Sequence, residues 1–321
     1  MAAILDFVVI SVILLTRNAP TLAGAALDAL LASADALHAA AGDGVRFVIA
    51  DDHSDERFDI SQLLRKFKSQ CERQGHAATC IVYREHQHYT HALARAMSLA
   101  ISRSDGPILF VSHDMILTPP CVATLIELAA DPTIGIIRPT SEHMDYARAL
   151  TVAPPRPPRG FEDVAAFAGE MRQRAQGRAI DVPILIGDAM LVKRAVIERI
   201  GIYDTRFFGF MADIDYGIRS RRAGFGVVVA PGAWLHHEGN GAGKELAAAG
   251  GRSVEENGRE MLAQARAAYE LFRQKWNLEL PADLRELRRA HFEALHALPP
   301  PTPADDYVPP IPFTPDVAAE V

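Results

Sequence analysis

The sequence predicts an α/β protein built on an open, mostly parallel sheet. Two observations carry this. In the first half, apolar β-branched runs alternate with alanine- and leucine-rich helical stretches, and the connections between them are short. That alternation is the pattern of strands joined by crossover helices. The runs are also continuously apolar, as expected of parallel strands covered on both faces. With 321 residues the chain can bury a large core, and one domain of roughly 200–250 residues plus an appendage is the natural arrangement.

Phe7–Leu15 is the first strand. It lacks a basic region before it, is followed by Arg17 and Asn18, and is too short to span a bilayer, so it reads as neither a signal peptide nor a transmembrane segment. Thr16-Arg17-Asn18-Ala19-Pro20 breaks it, and Pro20 suits the first turn of a helix running roughly from Thr21 to Ala40. Val45–Ala50 is the second strand and ends in Asp51-Asp52. A helix near Ser61–Gln74 and a strand at Cys80–Tyr83 follow. Histidine-rich Glu85–His91 leads into a helix ending near Ser102. The strand Pro107–Val111 then ends at Ser112-His113-Asp114, before a helix at Pro119–Ala129. In open sheets ligands bind beyond the carboxyl ends of the strands, where Asp51, Asp52 and Asp114 fall.

The second half is less regular. Ile134–Arg138 reads as a strand, and the segment from about Ser141 to Asp181 holds Pro154-Pro155-Arg156-Pro157-Pro158-Arg159-Gly160, a loop no strand tolerates. Pro183–Ile186 and Ala189–Val192 read as strand around Gly187, with a short helix at Ala195–Ile200. Phe207 to His237 then joins an aromatic turn, an acidic helix start (Asp213, Asp215), a turn at Gly224, a strand at Val227–Val229 and the pair His236-His237. Glu238–Glu245 reads as flexible and glycine-rich. Met261, Ala265, Tyr269, Phe272 and Trp276 recur at helical spacing, and a second helix follows from about Ala282. The proline-rich tail from Pro299 is expected to be extended or disordered.

Composition excludes several classes. A net charge of -7 leaves no basic excess to neutralise phosphates, which argues against nucleic-acid binding. Cys71, Cys80 and Cys121 are an odd set without metal-ligand spacing, which points to a reducing cytoplasm. A phosphate-binding loop at 239–244 fails because Glu238 and Glu245 occupy its defining positions, and His237-Glu238 begins a zinc-protease motif that Gly241 breaks. Lys244 is either a solvated lysine or one that closes over a diphosphate. Asp114 is either a helix cap or a ligand for Mg²⁺ or Mn²⁺. His86, His88 and His91 are explained by surface histidines as well as by a metal site.

Together these residues resemble family 2 glycosyltransferases of the glycosyltransferase A fold, with motifs like those of rhamnosyltransferases and galactofuranosyltransferases. Ile10–Asn18 is similar to the family's opening strand and T-Y-N turn, with Arg17 in place of Tyr. Asp51-Asp52-His53-Ser54-Asp55 resembles D-D-x-S-x-D, and Ser112-His113-Asp114 sits at D-x-D with one carboxylate kept. Gly187–Arg194 and Gly201–Phe208 match the segment before the catalytic loop. Met211–Arg219 looks like E-D-x-D-x-x-x-R with Ala212 for the first acid, and Pro231–His237 matches P-x-A-x-x-x-H.

The resemblance implies a two-layered, Rossmann-like α/β catalytic domain over residues 1–240, with a helical extension over 241–298 and the tail over 299–321. It implies a nucleotide-diphosphate sugar donor held by Leu15, Thr16, Asn18, Asp51 and Asp52, and a divalent metal (Mn²⁺ or Mg²⁺) on Asp114 and His237. Asp213 is then the general base of an inverting transfer to a glycan, lipid-linked or protein acceptor, kept ionised by the helix dipole. His236, Asp215, Lys244 and Asp188 are further candidates; Asp215 is expected to orient the loop or pair with Arg219. The insertion 141–181 is placed at the acceptor side by position alone. A cytoplasmic protein, with room for peripheral attachment to the inner membrane face, fits this role. The alternative is a relative that binds nucleotide or glycan without transfer, toward which Ser112 and Ala212 point. A sugar nucleotidyltransferase would need a glycine-rich basic loop that Thr16–Leu22 lacks.

Overall fold

The computed structural model describes residues 9–42, 44–144, 148–185, 187–239, 241–250, 253–276, 280–283, 286, 288–297 and 306–321. Its centre is a parallel block, β3-β2-β1-β4, of β1 (Ile10–Thr16), β2 (Val45–Asp51), β3 (Ala77–Tyr83) and β4 (Ile108–Ser112). All seven residues of β1 are buried because both faces are covered. Ile10, Val12 and Leu14 join one core; Ile13 and Leu15 join the other. The helices α1 (Pro20–Ala32), α2 (Ala34–Ala41) and α3 (Ile60–Arg73) contribute to the first core, and α4 (Tyr89–Arg103) to the second. Helices thus cover both faces, so the domain has three layers rather than two. The single helix expected over 21–40 is broken at Ser33, whose hydroxyl donates to the carbonyl of Leu117 at 3.1 Å.

After the short strand β5 (Met115–Ile116), which lies outside the main sheet, and α5 (Pro119–Ala129), the sheet continues as β4-β8-β6-β9-β7. These strands are β6 (Ile134–Thr140), β7 (Ile180–Asp181), β8 (Ala189–Val192) and β9 (Gly226–Trp234). β8 is antiparallel to both β4 and β6. This reversal decides where the site forms, because the start of β8 meets the carboxyl end of β4. The N–H of Ser112 donates to the carbonyl of Asp188 at 3.0 Å. Residues 183–185 form no strand, and Ile186 lies outside the described residues. Past the proline-rich loop at 154–160, the insertion contains a helix, α6 (Phe161–Ala175), whose Val164, Phe167, Ala168 and Met171 pack on Trp234. The prolines before it hid that apolar stripe.

Helices α7 (Arg194–Ile200) and α8 (Ala212–Arg222) precede β9, and β10 (His236–His237) pairs with β5 so that His237 lies opposite Met115. The expected flexible segment is instead the helix α9 (Gly241–Ala248). Its Glu245 accepts the N–H groups of Thr21 and Leu22 at 2.8 and 3.2 Å, capping α1, which has no local side-chain cap. In α10 (Val254–Trp276) the predicted stripe is buried at Ala265, Tyr269, Phe272 and Trp276, whereas Met261 is exposed. Among the described residues that follow, Ala282 and Asp283 are not helical, and a further helix, α11, spans Arg289–His296.

The tail is not disordered where it is described. Val308 exchanges backbone bonds with Ile200 and Ile202, and β11 (Ala318–Glu320) adds an antiparallel edge to β3. Val308, Ile311 and Val317 pack on the core, spaced apolar residues that a count of prolines conceals. Gly201 permits this docking, since a Cβ there would sit 1.7 Å from the Val308 carbonyl oxygen. Residues 299–305 lie outside the described part.

Candidate active site

At the carboxyl ends of β1 and β2 the predicted nucleotide residues converge. Asn18 adopts a left-handed backbone (φ 52°), and its side-chain oxygen accepts the N–H of Asp55 at 2.8 Å. Asp51 turns back on Ser54, accepting both its hydroxyl and its N–H. Asp52 faces the other way. Its Oδ1 accepts the N–H of Gln87 at 2.7 Å, and its Oδ2 lies 3.3 Å from Nε2 of His86. Burial raises both carboxyls above their usual range. Burial, aided by the positive charge of Arg17, pushes His86 down to about 4, so at neutral pH its contact with Asp52 is not an ion pair. Leu15 offers its carbonyl to His113 at 3.0 Å, and the buried Thr16 hydroxyl has no protein partner.

Asp114 and His237 meet across the β5–β10 ribbon. Nε2 of His237 is 3.4 Å from Oδ2 of Asp114, and its Nδ1 is 3.3 Å from the His143 carbonyl and 3.7 Å from Oδ2 of Asp188. Burial alone would raise Asp114 and lower His237; their mutual interaction outweighs it and moves each the other way. Asp188 is gripped by Arg138, whose Nη2 lies 2.6 and 2.7 Å from the two oxygens. Glu142 bonds the His236 ring and accepts the His237 N–H at 3.0 Å. Sequence reasoning missed Arg138, which lies on β6, and Glu142 and His143 in the loop after it; none of the three carries a motif. His236 therefore serves Glu142 and does not reach Asp114.

Asp213 lies in the first turn of α8, behind Met211, which takes a left-handed backbone (φ 69°) at the cap. Its Oδ2 accepts the N–H of Gly187 at 2.8 Å, and its Oδ1 accepts its neighbour Ile214 N–H at 2.9 Å. Only glycine allows this approach: a Cβ at 187 would sit 2.7 Å from Cβ of Asp213. Asp213 borders a cavity of about 280 Å³ shared with Tyr89, Thr90, Phe210, Asp188 and His237. Burial, with Asp188 adding to it, raises the Asp213 carboxyl to about 6 against the two N–H bonds. The helix dipole was expected to keep this group ionised; burial is the larger effect, and leaves it poised near neutrality.

The remaining candidates fall away from the cleft. Asp215 is fully buried, 2.8 Å from Nε of Arg219 and 2.6 Å from Nζ of Lys275. Lys244 sits on α9 in an ion pair with Glu238 at 3.3 Å, not on a mobile loop. His86 and His88 stack on each other, and His88 and His91 meet Phe208. Among the described residues, no group of three or more His, Cys, Asp or Glu side chains forms a metal cluster. The cysteines are buried and free, with burial pushing Cys71 and Cys80 up to about 12. A larger cavity, about 570 Å³ between α1 and α6, touches Asp114 and His236 but holds none of the Asp213 chemistry. The insertion therefore walls this second cavity.

The layered sheet and the residues at its carboxyl edge define a glycosyltransferase A fold, and two solved glycosyltransferases share it. One is GalNAc-T7 with UDP, GalNAc and Mn2+ (TM-score 0.50, 12% identity, 73% of this chain and 44% of that one). The other is S. aureus TarS (TM-score 0.50, 12% identity, 90% and 42%). No family model matches the chain. Over 64 residues it is 38% identical to N-acetylglucosaminyl-diphospho-decaprenol L-rhamnosyltransferase of Mycobacterium tuberculosis, in two strains. That match covers 20% of this chain, and spans about a fifth (21%) of the relative's length. The resemblance to family 2 glycosyltransferases read from the sequence stands on these comparisons.

Proposed function

We propose that the chain transfers a sugar from a nucleotide-diphosphate sugar to an acceptor hydroxyl, with inversion and with Asp213 as general base. The observation that carries this is a carboxylate raised to about 6, fixed by two N–H bonds at the wall of a cleft. A sugar hydroxyl is a poor nucleophile at neutral pH, and a base of this strength is suited to take its proton as the new bond forms. Asp52, with the Leu15–Asn18 turn, holds the base and ribose of the donor.

The donor set suits a divalent cation at Asp114 and His237. If Nδ1 carries the proton toward the His143 carbonyl, Nε2 presents a lone pair to the Asp114 carboxylate. Two acceptors facing at 3.4 Å need a proton or a cation between them. Asp114 and His237 would hold such a cation, which would supply positive charge against the diphosphate leaving group. The mycobacterial relative's name favours a lipid-linked acceptor. No helix among the described residues is long and apolar enough to cross a membrane.

Ser112 and Ala212, each replacing an acid of the family pattern, favour a second reading: nucleotide binding without transfer. One experiment separates the two. The protein is incubated with a panel of nucleotide sugars and Mn²⁺, and nucleoside diphosphate release is measured. Release supports the transferase; binding without release across the panel supports the binding protein.

A further inference from the structure

Asp188 has no role in the proposal above, yet its placement is more constrained than that of any other carboxylate in the cleft. It precedes β8, the strand that runs against its neighbours, and so reaches the carboxyl edge beside Ser112. Arg138, nearly inaccessible to solvent, holds both of its oxygens from β6. Its Oδ1 also accepts the N–H of Ala189 at 2.9 Å. That leaves Oδ2 as the edge turned toward Nδ1 of His237, at 3.7 Å.

We propose that Asp188, anchored by Arg138, is a positioning residue that fixes the His237 imidazole with its proton on Nδ1 and its Nε2 toward Asp114. This rests on the reading of Asp114 and His237 as a cation site. Three features act in one direction. The His143 carbonyl can only accept, so its contact favours a proton on Nδ1. The Asp188 carboxylate on the same side of the ring favours that proton electrostatically. Arg138 prevents the carboxylate from rotating away or swinging to Nε2. A carboxylate behind a ligating histidine fixes its tautomer and raises its basicity. Asp188 does so from an adjacent strand, without touching the cation.

The test is Asp188→Asn, checked first for an unchanged melting profile. The amide oxygen is expected to take the place of Oδ1, where it accepts from Ala189 and Arg138. The NH₂ group then faces Nδ1 of His237 and demands a lone pair there, so the proton moves to Nε2 and donates to Asp114. Long-range ¹H–¹⁵N spectra of histidine-labelled protein in mildly alkaline buffer should show His237 protonated on Nδ1 in the wild type. In Asp188→Asn they should show it on Nε2, and Asp188→Glu should retain the wild-type tautomer. Mn²⁺ titration followed by electron paramagnetic resonance should show roughly 10–100-fold weaker binding in the asparagine variant. An unchanged tautomer and Mn²⁺ affinity in folded Asp188→Asn would overturn the proposal. A wild-type His237 already protonated on Nε2 would overturn it even if that variant does not fold. Failure of the wild type to release nucleoside diphosphate sinks the transferase reading instead, and leaves the tautomer result to be scored by itself.

Discussion

A base with a carboxyl raised to about 6 must leave a signature in the pH dependence of transfer. Only the ionised form accepts a proton, so Asp213 is competent above that value and lost below it. It is about nine-tenths ionised at about pH 7 and about one-tenth at about pH 5, so kcat/KM should fall roughly tenfold per unit on the acid side. The same shift has a stability consequence of fixed sign. The folded value lies above the ordinary 3.8, so the ionised carboxylate opposes folding, and its contribution improves as pH falls from about 6 toward 3.8. Asp213→Asn keeps the shape but accepts no proton. Transfer should drop by about 10²–10⁴-fold and the acid limb attributable to this group should vanish. Its amide can accept only one of the Gly187 and Ile214 N–H groups, and leaving the other unpaired costs about 1–3 kcal/mol. The assay is nucleoside diphosphate release across the pH range, with donor affinity measured in parallel by calorimetry and expected to persist. A flat profile together with near-wild-type transfer by Asp213→Asn would refute the assignment.

Three further outcomes follow from the geometry. Asp114→Asn should abolish the difference in nucleoside diphosphate affinity between Mn²⁺ and excess chelator; equal calorimetric affinity with and without metal in the wild type removes the cation from the mechanism. Asp52→Ala should weaken nucleotide binding by about 1.5–3 kcal/mol, and an unchanged dissociation constant would leave Asp52 as a clamp on the His86–Gln87 loop alone. Gly187→Ala inserts a methyl 2.7 Å from Cβ of Asp213, so it should destabilise by about 1–3 kcal/mol and slow transfer while sparing donor affinity. Wild-type transfer rates in that variant would show that Asp213 need not be held against residue 187.

What the sequence displayed and what it concealed divide along physical lines. The strand–helix alternation of the first half was legible because each strand is buried on both faces and reads as one apolar run, as Ile10–Thr16 does. Asp213, Asp114 and His237 were singled out by their motifs, and the antiparallel pairing of His237 with Met115 accounts for the meeting of Asp114 and His237. Arg138, Glu142 and His143 were not legible. Their partners lie 50, 94 and 94 residues away, and no local spacing encodes such contacts. The helices α6 and α9 were obscured by proline and glycine, punctuators that local reading weighs heavily. Tertiary burial on Trp234 and the Glu245 contact with α1 outweigh them.

Asp213 and Asp215 show how one helical turn separates chemistry from architecture. They lie two residues apart, a spacing that sends side chains to different sides of a helix. Asp213 faces the cleft with only N–H partners, so nothing cationic in contact lowers its pKa and burial lifts it. Asp215 faces the interior, where an unpaired charge would be prohibitive. It meets Arg219 from its own helix and both Lys275 and Trp276 from α10. Arg219 in turn donates to the carbonyls of Ile200, Ile202 and Asp306. Helix α10 therefore neutralises the inner side of α8, and the tail ties it down through the Asp306 carbonyl. With that side pinned, the opposite side can hold a carboxylate at a fixed height over the cleft without any cation to lower its basicity.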